Sequence, residues 1–294
     1  MFTIAGVTGR VGSVVAAELL EAGSEVTVLA RDESKAAHWA ERGATIRRAD
    51  LSDRAGLTAA LDGSEGLFTL LPFDPTGIDQ DGHQHRLIDA IAGAVSDARV
   101  PHVAMLSSVG ADLPDGTGPI RWLHDLEQRL RATGTVLTAV RSSHFQEKLA
   151  ELLGAVHGAG VYPVFRNTAD VPIPMVATRD VGAVLARALL ARPKTSEVID
   201  VVGPAYTERE VAERVAAVLG RQVEVVTVPQ PGWAGSLIEA GLSPAAAELI
   251  AEMYGADERN LLAPRGDRAV HGETPIEHTI RGLLSASSGQ SDAA

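Results

Sequence analysis

The sequence predicts an α/β fold, with a doubly wound parallel sheet and a smaller C-terminal α/β lobe. Three observations lead to this prediction. Short apolar runs alternate with helical patterns over residues 3–140, a glycine-rich turn joins the first run to the first helix, and the 294 residues suffice for one large domain or two modest ones. Strands that alternate with helices of about ten residues form βαβ units, whose strands are parallel and whose helices cover both faces of the sheet.

The first domain is predicted over residues 1–148. Residues 3–6 are typical of a buried strand, and an apolar helix face then begins at Val11 and ends before Gly23. The further strands of this domain are predicted at residues 26–30, 45–48, 66–71, 100–106 and 136–140. The helices between these strands are predicted at residues 33–42, 54–61, 87–95 and 122–132.

A smaller lobe is predicted over residues 149–284, partly interleaved with the first domain. The alternation loosens here, because residues 161–164 and 171–174 contain prolines that a central strand does not tolerate. Thr207 and Glu210 form a predicted capping box at a helix start. The other predicted elements are a helix through residues 181–189, strands at 197–202 and 223–228, and a short helix capped by Ser243.

Composition excludes several classes of function. The chain has no cysteine, which rules out disulfides, thiolate metal sites, iron–sulfur clusters and a cysteine nucleophile. Its formal net charge of −12 opposes binding to nucleic acid and to anionic membranes. Without a secretion signal or a membrane-spanning apolar stretch, a cytoplasmic location and a small-molecule partner are expected. Residues 285–294 contain nothing to bury and are predicted to be disordered.

A glycine-rich turn, Gly6-Val7-Thr8-Gly9-Arg10-Val11-Gly12, lies between the first predicted strand and the first helix. Glycines permit a tight turn and a close approach of the backbone, so that a pyrophosphate can accept hydrogen bonds from the free N–H groups of a helix N-terminus. The glycines also suit a turn without any ligand. The strand before the turn and the helix after it favour nucleotide binding.

The end of the second predicted strand bears on the choice between NAD and NADP. Arg31, with Lys35 one helical turn later, favours the 2′-phosphate of NADP. Asp32 is the opposing signal, because a carboxylate there can bind the ribose of NAD, but a residue just before a helix is more often its N-cap. Asp50, after the third strand, is a candidate acceptor for the adenine amino group or a simple cap.

The chain resembles the NmrA-like group of atypical short-chain dehydrogenase/reductases. The resemblance rests on the glycine turn and on a series of short motifs in a fixed order: Leu29-Ala30-Arg31 with Lys35, Ala49-Asp50-Leu51, residues 127–134, the strand at 135–141 with Phe145, residues 178–182, residues 202–204, and residues 219–221 with Val228-Pro229. It implies a Rossmann-type domain that prefers NADPH over NADH, with a smaller lobe over the cleft. It also implies reductase activity or nucleotide sensing.

The resemblance assigns candidate roles to individual residues. Those expected at the cofactor are Gly6, Thr8, Gly9, Arg10, Val11 and Gly12 at the pyrophosphate, Arg31 and Lys35 at the 2′-phosphate, Asp50 and Leu51 at the adenine, and Leu71 and Pro72 at the middle of the molecule. Apart from the resemblance, the residues expected near the substrate, at the carboxyl edge of the sheet where ligands bind in such folds, are Phe73, Ser107, Ser108, His144 and Phe145. The two serines could donate to a carbonyl or serve only as a cap or turn.

The acid of ordinary short-chain dehydrogenases is missing. Those enzymes reduce carbonyls with a Tyr-x-x-x-Lys pair, and none of the three tyrosines here, Tyr162, Tyr206 and Tyr254, is followed by lysine at that spacing. On the helix that normally carries the pair, His124 shares a face with Glu127 and is the candidate proton donor. A solvated helix face is the alternative interpretation of these two residues.

A group of acidic and histidine side chains between Asp79 and Asp89 is interpreted as a helix cap and an exposed helix face, so no metal site is predicted. Two functions remain. The first is an NADPH-dependent oxidoreductase that reduces a quinone or another conjugated, electron-poor small molecule, since such acceptors take a hydride without a strong acid. The second is a non-catalytic protein that senses NADP(H) and regulates a protein partner.

Overall fold

Eight parallel strands form the central sheet of the protein, whose computed structural model describes residues 1–291 and the side chains of residues 1–285. These strands are β1 (Phe2–Ile4), β2 (Val26–Ala30), β3 (Thr45–Arg48), β4 (Gly66–Thr69), β5 (His102–Ser108), β6 (Val136–Ser142), β10 (Glu197–Val202) and β13 (Arg268–His271). Their order across the sheet is β13-β10-β6-β5-β4-β1-β2-β3. The doubly wound parallel sheet predicted from the alternating pattern is therefore confirmed.

Helices cover both faces of this sheet. They are α1 (Arg10–Glu21), α2 (Ala37–Glu41), α3 (Arg54–Ala60), α4 (Gln80–Asp97), α5 (Ile120–Ala132) and α7 (Thr178–Ala191). Helices α1 and α7 pack against each other and bury Val15 and Leu185 on one face, whereas α3, α4 and α5 bury Leu57, Ile91 and Leu126 on the other. Burial of each such side chain contributes about 1.5–3 kcal/mol, which is why apolar periodicity alone located these helices.

The remaining elements lie in the smaller part of the structure. They are β7 (His144–Phe145), α6 (Leu149–Ala159), β8 (Val161–Val164), β9 (Ile173–Val176), β11 (Ala205–Tyr206), α8 (Glu208–Leu219), β12 (Glu224–Thr227), α9 (Trp233–Glu239), α10 (Pro244–Glu258) and α11 (Ile276–Ser291). Of these, α6, β8, β9, β11, α8 and α11 share a core of their own. Three short strands pair in the order β11-β9-β7, and β12 pairs with β8. The predicted capping box is present: Thr207 accepts from Glu210 N, and the Glu210 carboxylate accepts from Thr207 N.

Several elements differ from the sequence prediction. Strand β10 and helix α7 come from the segment predicted as the smaller lobe, but they belong to the large sheet and its helical layer, and β13 was not predicted. Strand β9 is the middle strand of its small sheet despite Pro174, because the strands beside it are only two residues long and demand few donors. The helix capped by Ser243 is α10, which has 15 residues and is not short.

The predicted disordered tail also differs. Helix α11 continues to Ser291, and residues 292–294 lie outside the described part of the chain. Among the residues that the structure describes, no helix combines the length and the apolar character needed to cross a membrane.

Candidate active site

The glycine turn lies at the point where the strand order reverses, between β1 and β4. Gly6 has a φ of +63°, and a Cβ on it would come 2.6 Å from Cδ2 of Leu70, the residue after β4. A Cβ on Gly12, in the first turn of α1, would come 2.8 Å from the carbonyl carbon of Gly6. Glycine is therefore required at both positions for the protein itself. The reversal point at the carboxyl edge is where doubly wound folds bind nucleotides.

The N-terminus of α1 is open to a ligand. Gly9 is its N-cap residue, no side chain caps it, and no acidic residue lies in its first turn. Thr8, Gly9 and Arg10 are exposed. Because the first N–H groups of a helix have no acceptor within the helix, this end favours an anion such as a pyrophosphate. Val11 is buried beneath the turn and supports it.

Gly9 differs from the other two glycines. Its backbone is extended, with φ −91° and ψ 166°, a conformation that any residue adopts. A Cβ would meet only the Gly6 carbonyl oxygen within 4 Å, at 3.3 Å. The protein therefore leaves space in front of the helix at Gly9 that its own packing does not need.

Three exposed cations lie at the ends of β2 and β3. Arg31 follows β2, Lys35 lies in the 3-10 turn after it, and Arg48 ends β3 beside Ala30 in the strand register. The sequence did not identify Arg48 as part of this group, because the register of β2 and β3 places it beside Ala30, and spacing along the chain does not give that register. Three cations of this kind fit a phosphate.

Asp32, between these cations, serves as an N-cap. Its Oδ1 accepts hydrogen bonds from Ser34 N at 3.0 Å and from Ser34 Oγ at 2.7 Å. These bonds hold the pKa of Asp32 below its ordinary value. Oδ1 thus caps the turn after β2, which supports the N-cap interpretation.

Asp50 and Leu51 lie at the carboxyl end of β3. Asp50 Oδ1 accepts from Ser52 N at 2.8 Å and from Ser52 Oγ at 2.7 Å, and these bonds lower the pKa of this carboxyl. The geometry favours the cap alternative for Asp50. Leu51 packs half-buried against the core beneath α3 and α4, where its exposed part can contact an adenine ring.

The segment after β4 borders the glycine turn. Leu71 and Phe73 are half-buried and pack on the core that α3, α4 and α5 form with the sheet. Pro72 is exposed, and its carbonyl accepts a hydrogen bond of 2.9 Å from Nε2 of the buried Gln84. These contacts hold the segment next to the expected middle of a dinucleotide.

Both serines at the end of β5 already have protein partners. Ser107 Oγ donates to Glu127 Oε1 at 2.6 Å, and Ser108 Oγ donates to the carbonyl of Val109 at 3.1 Å. Their hydroxyl protons are therefore not free to bond a substrate, contrary to the expected donor role. Ser107 is buried and Ser108 half-buried.

Glu127 forms a buried ion pair that the sequence did not reveal. Arg141, at the end of β6, donates from Nε to Oε1 at 2.9 Å and from Nη2 to Oε2 at 2.7 Å. Glu127 is fully buried, so the solvated helix face considered for it is wrong. Glu127 lies next to Leu126 and near Leu130 in the sequence, a pattern that gives no sign of a buried charge. It can face the sheet because Arg141 neutralises it there.

His124 has one ring nitrogen committed to the backbone. Nδ1 lies 2.9 Å from the carbonyl oxygen of Ala111, and because a carbonyl only accepts, Nδ1 carries the hydrogen. Nε2 is then the nitrogen available to another molecule. The side chain is half-buried on α5, so a role in proton delivery remains a prediction.

The three tyrosines have structural partners, and none of them lies on α5, the helix that carries the acid in ordinary short-chain dehydrogenases. Tyr162 donates its hydroxyl hydrogen to Glu208 at 2.7 Å, and Tyr206 accepts from Ile276 N at 3.3 Å. Tyr254 packs among aromatic rings in the smaller part of the structure. Burial raises the pKa of Tyr162 and of Tyr254, the opposite of what a catalytic phenol requires.

Helix α10 lies over the loops that follow three neighbouring strands of the sheet. Ser243 N donates to the carbonyl of Pro75, after β4, at 2.9 Å. Gly118, in the loop after β5, packs so closely that a Cβ would collide with the Leu249 carbonyl of α10. After β6, His144 Nε2 lies 3.5 Å from Asp257 Oδ2. Helix α10 therefore roofs the carboxyl edge of β4, β5 and β6.

His144 and Phe145 form β7 beneath this roof, and both are half-buried. Phe145 also packs against the core on the α1 and α7 side of the sheet. The position of α10 could not be predicted, because its contacts join residues far apart in the chain.

The acidic and histidine group at the start of α4 has structural partners. Asp79 caps the helix, and Asp81 accepts from Arg121 and from Trp122 Nε1. Two further members pair with residues of α5: His85 with Asp125 and Asp89 with Arg129. Within the described residues, no three histidine or acidic side chains are placed to hold a metal ion.

Curated proteins with similar sequences are reductases. The chain is 28% identical over 256 residues to an NAD(P)H azoreductase of Xenophilus azovorans and 28% identical over 259 residues to quinone oxidoreductase 2 of Escherichia coli K12, covering 86% of each chain in both pairs. It is 32% identical over 223 residues to a (4-alkanoyl-5-oxo-2,5-dihydrofuran-3-yl)methyl phosphate reductase of Streptomyces griseus, covering 75% of this chain and 74% of the relative.

Solved structures show the same fold. The NADPH complex of an Escherichia coli NADPH-dependent quinone oxidoreductase superposes with a TM-score of 0.80 at 24% identity, covering 97% of this chain and 100% of that one. The NADP(H) complex of a Citrobacter triphenylmethane reductase superposes with a TM-score of 0.76 at 22% identity, covering 96% and 99%. Residues 1–260 match the sequence profile of the NmrA-like family, and the chain belongs to that family.

Proposed function

We propose that this protein is an NADPH-dependent oxidoreductase that reduces a quinone, or another conjugated and electron-poor small molecule, by hydride transfer. The observation that carries the proposal is the uncapped N-terminus of α1, which opens beside a glycine turn at the reversal point of the sheet. The reductases to which the chain is similar support this function. They also favour an enzyme over a protein that only senses NADP(H).

The chain offers a residue for each part of NADPH. Thr8, Gly9, Arg10 and Val11 would line the pyrophosphate, and Gly6 and Gly12 permit the turn that brings it close. Arg31, Lys35 and Arg48 would hold the 2′-phosphate. Asp50 and Leu51 would border the adenine, and Leu71 and Pro72 the middle of the molecule. The three exposed cations at the ends of β2 and β3 favour a 2′-phosphate over a free ribose hydroxyl.

The missing tyrosine restricts the acceptor. Bound NADPH supplies a hydride, and a simple ketone then needs a proton donor to neutralise the developing alkoxide. A quinone spreads the new charge over a conjugated system and needs much less help. A site without the Tyr-x-x-x-Lys pair therefore suits a quinone, an azo dye or an enone. A cytoplasmic location, where NADPH is available, accompanies this proposal.

The test is acceptor-dependent oxidation of NADPH, followed by its absorbance, with a panel of quinones, azo dyes, enones and a simple ketone. We expect turnover with the conjugated acceptors and little with the ketone. NADH should be the poorer donor at equal concentration. If the protein binds NADPH and NADP⁺ with similar affinity but none of the acceptors causes oxidation of NADPH, the protein is a sensor and the proposal is wrong.

A further inference from the structure

A histidine and a carboxylate meet where the roof helix α10 contacts the edge of the sheet. His144 Nε2 is shielded from solvent and lies 3.5 Å from Asp257 Oδ2, with no closer hydrogen-bond partner among the described residues. The His144 side chain as a whole is 32% exposed, and Asp257 only 15%. Since Nε2 is the buried nitrogen, Nδ1 is the one that can reach a molecule in the cleft.

We propose that His144 donates the proton that accompanies hydride transfer to the acceptor, and that Asp257 is the positioning residue that orients it. A carboxylate behind one ring nitrogen fixes the imidazole and favours its protonated form, while the other nitrogen faces the substrate. His144 directly follows β6, at the edge where a doubly wound sheet binds ligands.

Arg166 and Glu258 complete the charges around this pair. Arg166 contacts both Asp257 and Glu258, and Asn167 donates to Glu258. Arg166 Nη1 binds Oδ2 of Asp257, the same oxygen that faces His144 Nε2, so the guanidinium holds the carboxylate in place against the imidazole. Burial opposes ionisation of Asp257, but the bond and charge of His144 and the guanidinium of Arg166 hold its pKa below the ordinary value, so it is a carboxylate at neutral pH.

Among the side chains that the structure describes, Asp257 is the charged group paired with His144. Strand β9 presents Met175 opposite His144 in the register, and Arg141 of the neighbouring strand β6 is bound to Glu127. His124, the donor predicted from the sequence, has its Nδ1 fixed to a backbone carbonyl and no carboxylate behind it. The dyad of His144 and Asp257 is therefore the better-supported proton source.

The reaction balances with this assignment, which rests on the proposed function. A quinone becomes a hydroquinone by taking one hydride, which NADPH supplies as it becomes NADP⁺, and one proton, which His144 Nδ1 donates to a quinone oxygen. The neutral imidazole then regains its proton from solvent. The donor matters more when the reduced oxygen is more basic, because an acid helps in proportion to the charge it neutralises.

The experiment measures kcat/KM from pH 5 to 9 for 1,4-benzoquinone and for 2-methyl-1,4-naphthoquinone, with saturating NADPH. The variants are His144→Gln and Asp257→Asn. We expect wild-type kcat/KM to fall as the pH rises, because the acid form of His144 is required. In His144→Gln this fall should vanish, with a loss of about 10-fold to 100-fold at low pH that is larger for the naphthoquinone. In Asp257→Asn the pH profile should differ from that of wild type, because the amide carries no charge beside the imidazole and no longer orients it in the same way.

His85→Gln and Asp125→Asn are matched controls, since their side chains form a histidine–carboxylate pair at 3.7 Å on the exposed surface of α4 and α5. They should leave the pH profile unchanged. The dissociation constant of NADPH, measured by nicotinamide fluorescence, should stay within about twofold of wild type in all four variants, which shows that the site remains folded.

The two possible failures are distinguishable. If wild-type protein oxidises NADPH with the quinones and His144→Gln keeps the same pH profile, the assignment of His144 is wrong while the proposed function stands. An unchanged profile in Asp257→Asn would overturn its positioning role. If wild-type protein binds NADPH but reduces no quinone, the proposed function is wrong, and this proposal with it.

Discussion

Substitutions at Gly9 and Gly12 test the cofactor site, because one should weaken NADPH binding and the other should lower the stability of the protein. In Gly9→Val, the backbone angles suit valine, and the new Cβ meets only one protein atom within 4 Å, the Gly6 oxygen at 3.3 Å. The side chain instead fills the space in front of the α1 N-terminus. In Gly12→Ala, the new methyl group would lie 2.8 Å from the Gly6 carbonyl carbon, so the turn itself must move. Gly9→Val should therefore impair binding, and Gly12→Ala should impair stability.

The magnitudes follow from these contacts. If valine at Gly9 removes two charge-assisted hydrogen bonds between the helix and a pyrophosphate, at about 1.5–3 kcal/mol each, NADPH affinity falls about 10²-fold to 10⁴-fold. The melting temperature without cofactor should change by less than about 3 °C. Overpacking of the kind created by Gly12→Ala costs about 1–3 kcal/mol, which for a chain of this size lowers Tm by about 2–10 °C.

The assay pairs a fluorescence titration of NADPH with thermal unfolding of each protein without cofactor. The result expected is a large loss of affinity at nearly constant Tm for Gly9→Val, and a clear fall in Tm for Gly12→Ala. Tight NADPH binding by Gly9→Val would show that the pyrophosphate does not lie on the α1 N-terminus. The glycine-turn assignment would then be wrong.

Three further predictions concern other parts of the site. Arg31→Ala should lower NADPH affinity about 10-fold to 100-fold and leave NADH affinity nearly unchanged in parallel titrations, because the proposed partner of the guanidinium is the 2′-phosphate, which NADH lacks. Equal losses of affinity for both cofactors would contradict this role. Glu127→Gln removes the charge of the closest partner of the buried Arg141, whose other carboxylate neighbour, Asp112, lies at 3.9 Å, and should lower the free energy of unfolding, measured by urea denaturation, by about 3–5 kcal/mol. Asp170→Asn, which breaks an ion pair with Arg209 on the exposed surface, should lower it by less than about 1 kcal/mol. His124→Ala should reduce kcat/KM for a quinone by less than about 100-fold. A loss of kcat/KM confined to a simple ketone would identify His124 as a substitute acid. If kcat/KM is unchanged with both acceptors from pH 5 to 9, His124 is ordinary helix surface.

Local interactions were readable from the sequence. The apolar periodicity located the helices, and the spacing of Thr207 and Glu210 located a helix start that the structure confirms. Asp32 was interpreted correctly as an N-cap because its partner, Ser34, lies two residues away. The glycine turn predicted a tight strand-to-helix junction, since Gly6 and Gly12 are constrained by neighbours within the same βαβ unit. In each case the stabilising contact and the residue that makes it are close together in the chain.

Contacts between distant segments were decided only by the tertiary structure. Arg48 joins the cation cluster because parallel pairing places it beside Ala30, and β10 and β13 join the large sheet although other elements separate them from its first six strands. Glu127 looked like part of an exposed helix face until its partner, Arg141, was in place. The pairing of His144 with Asp257 depends on α10 crossing the sheet edge. Periodicity records which side of an element is buried, but not which distant residue neutralises a charge there, and that choice requires the folded chain.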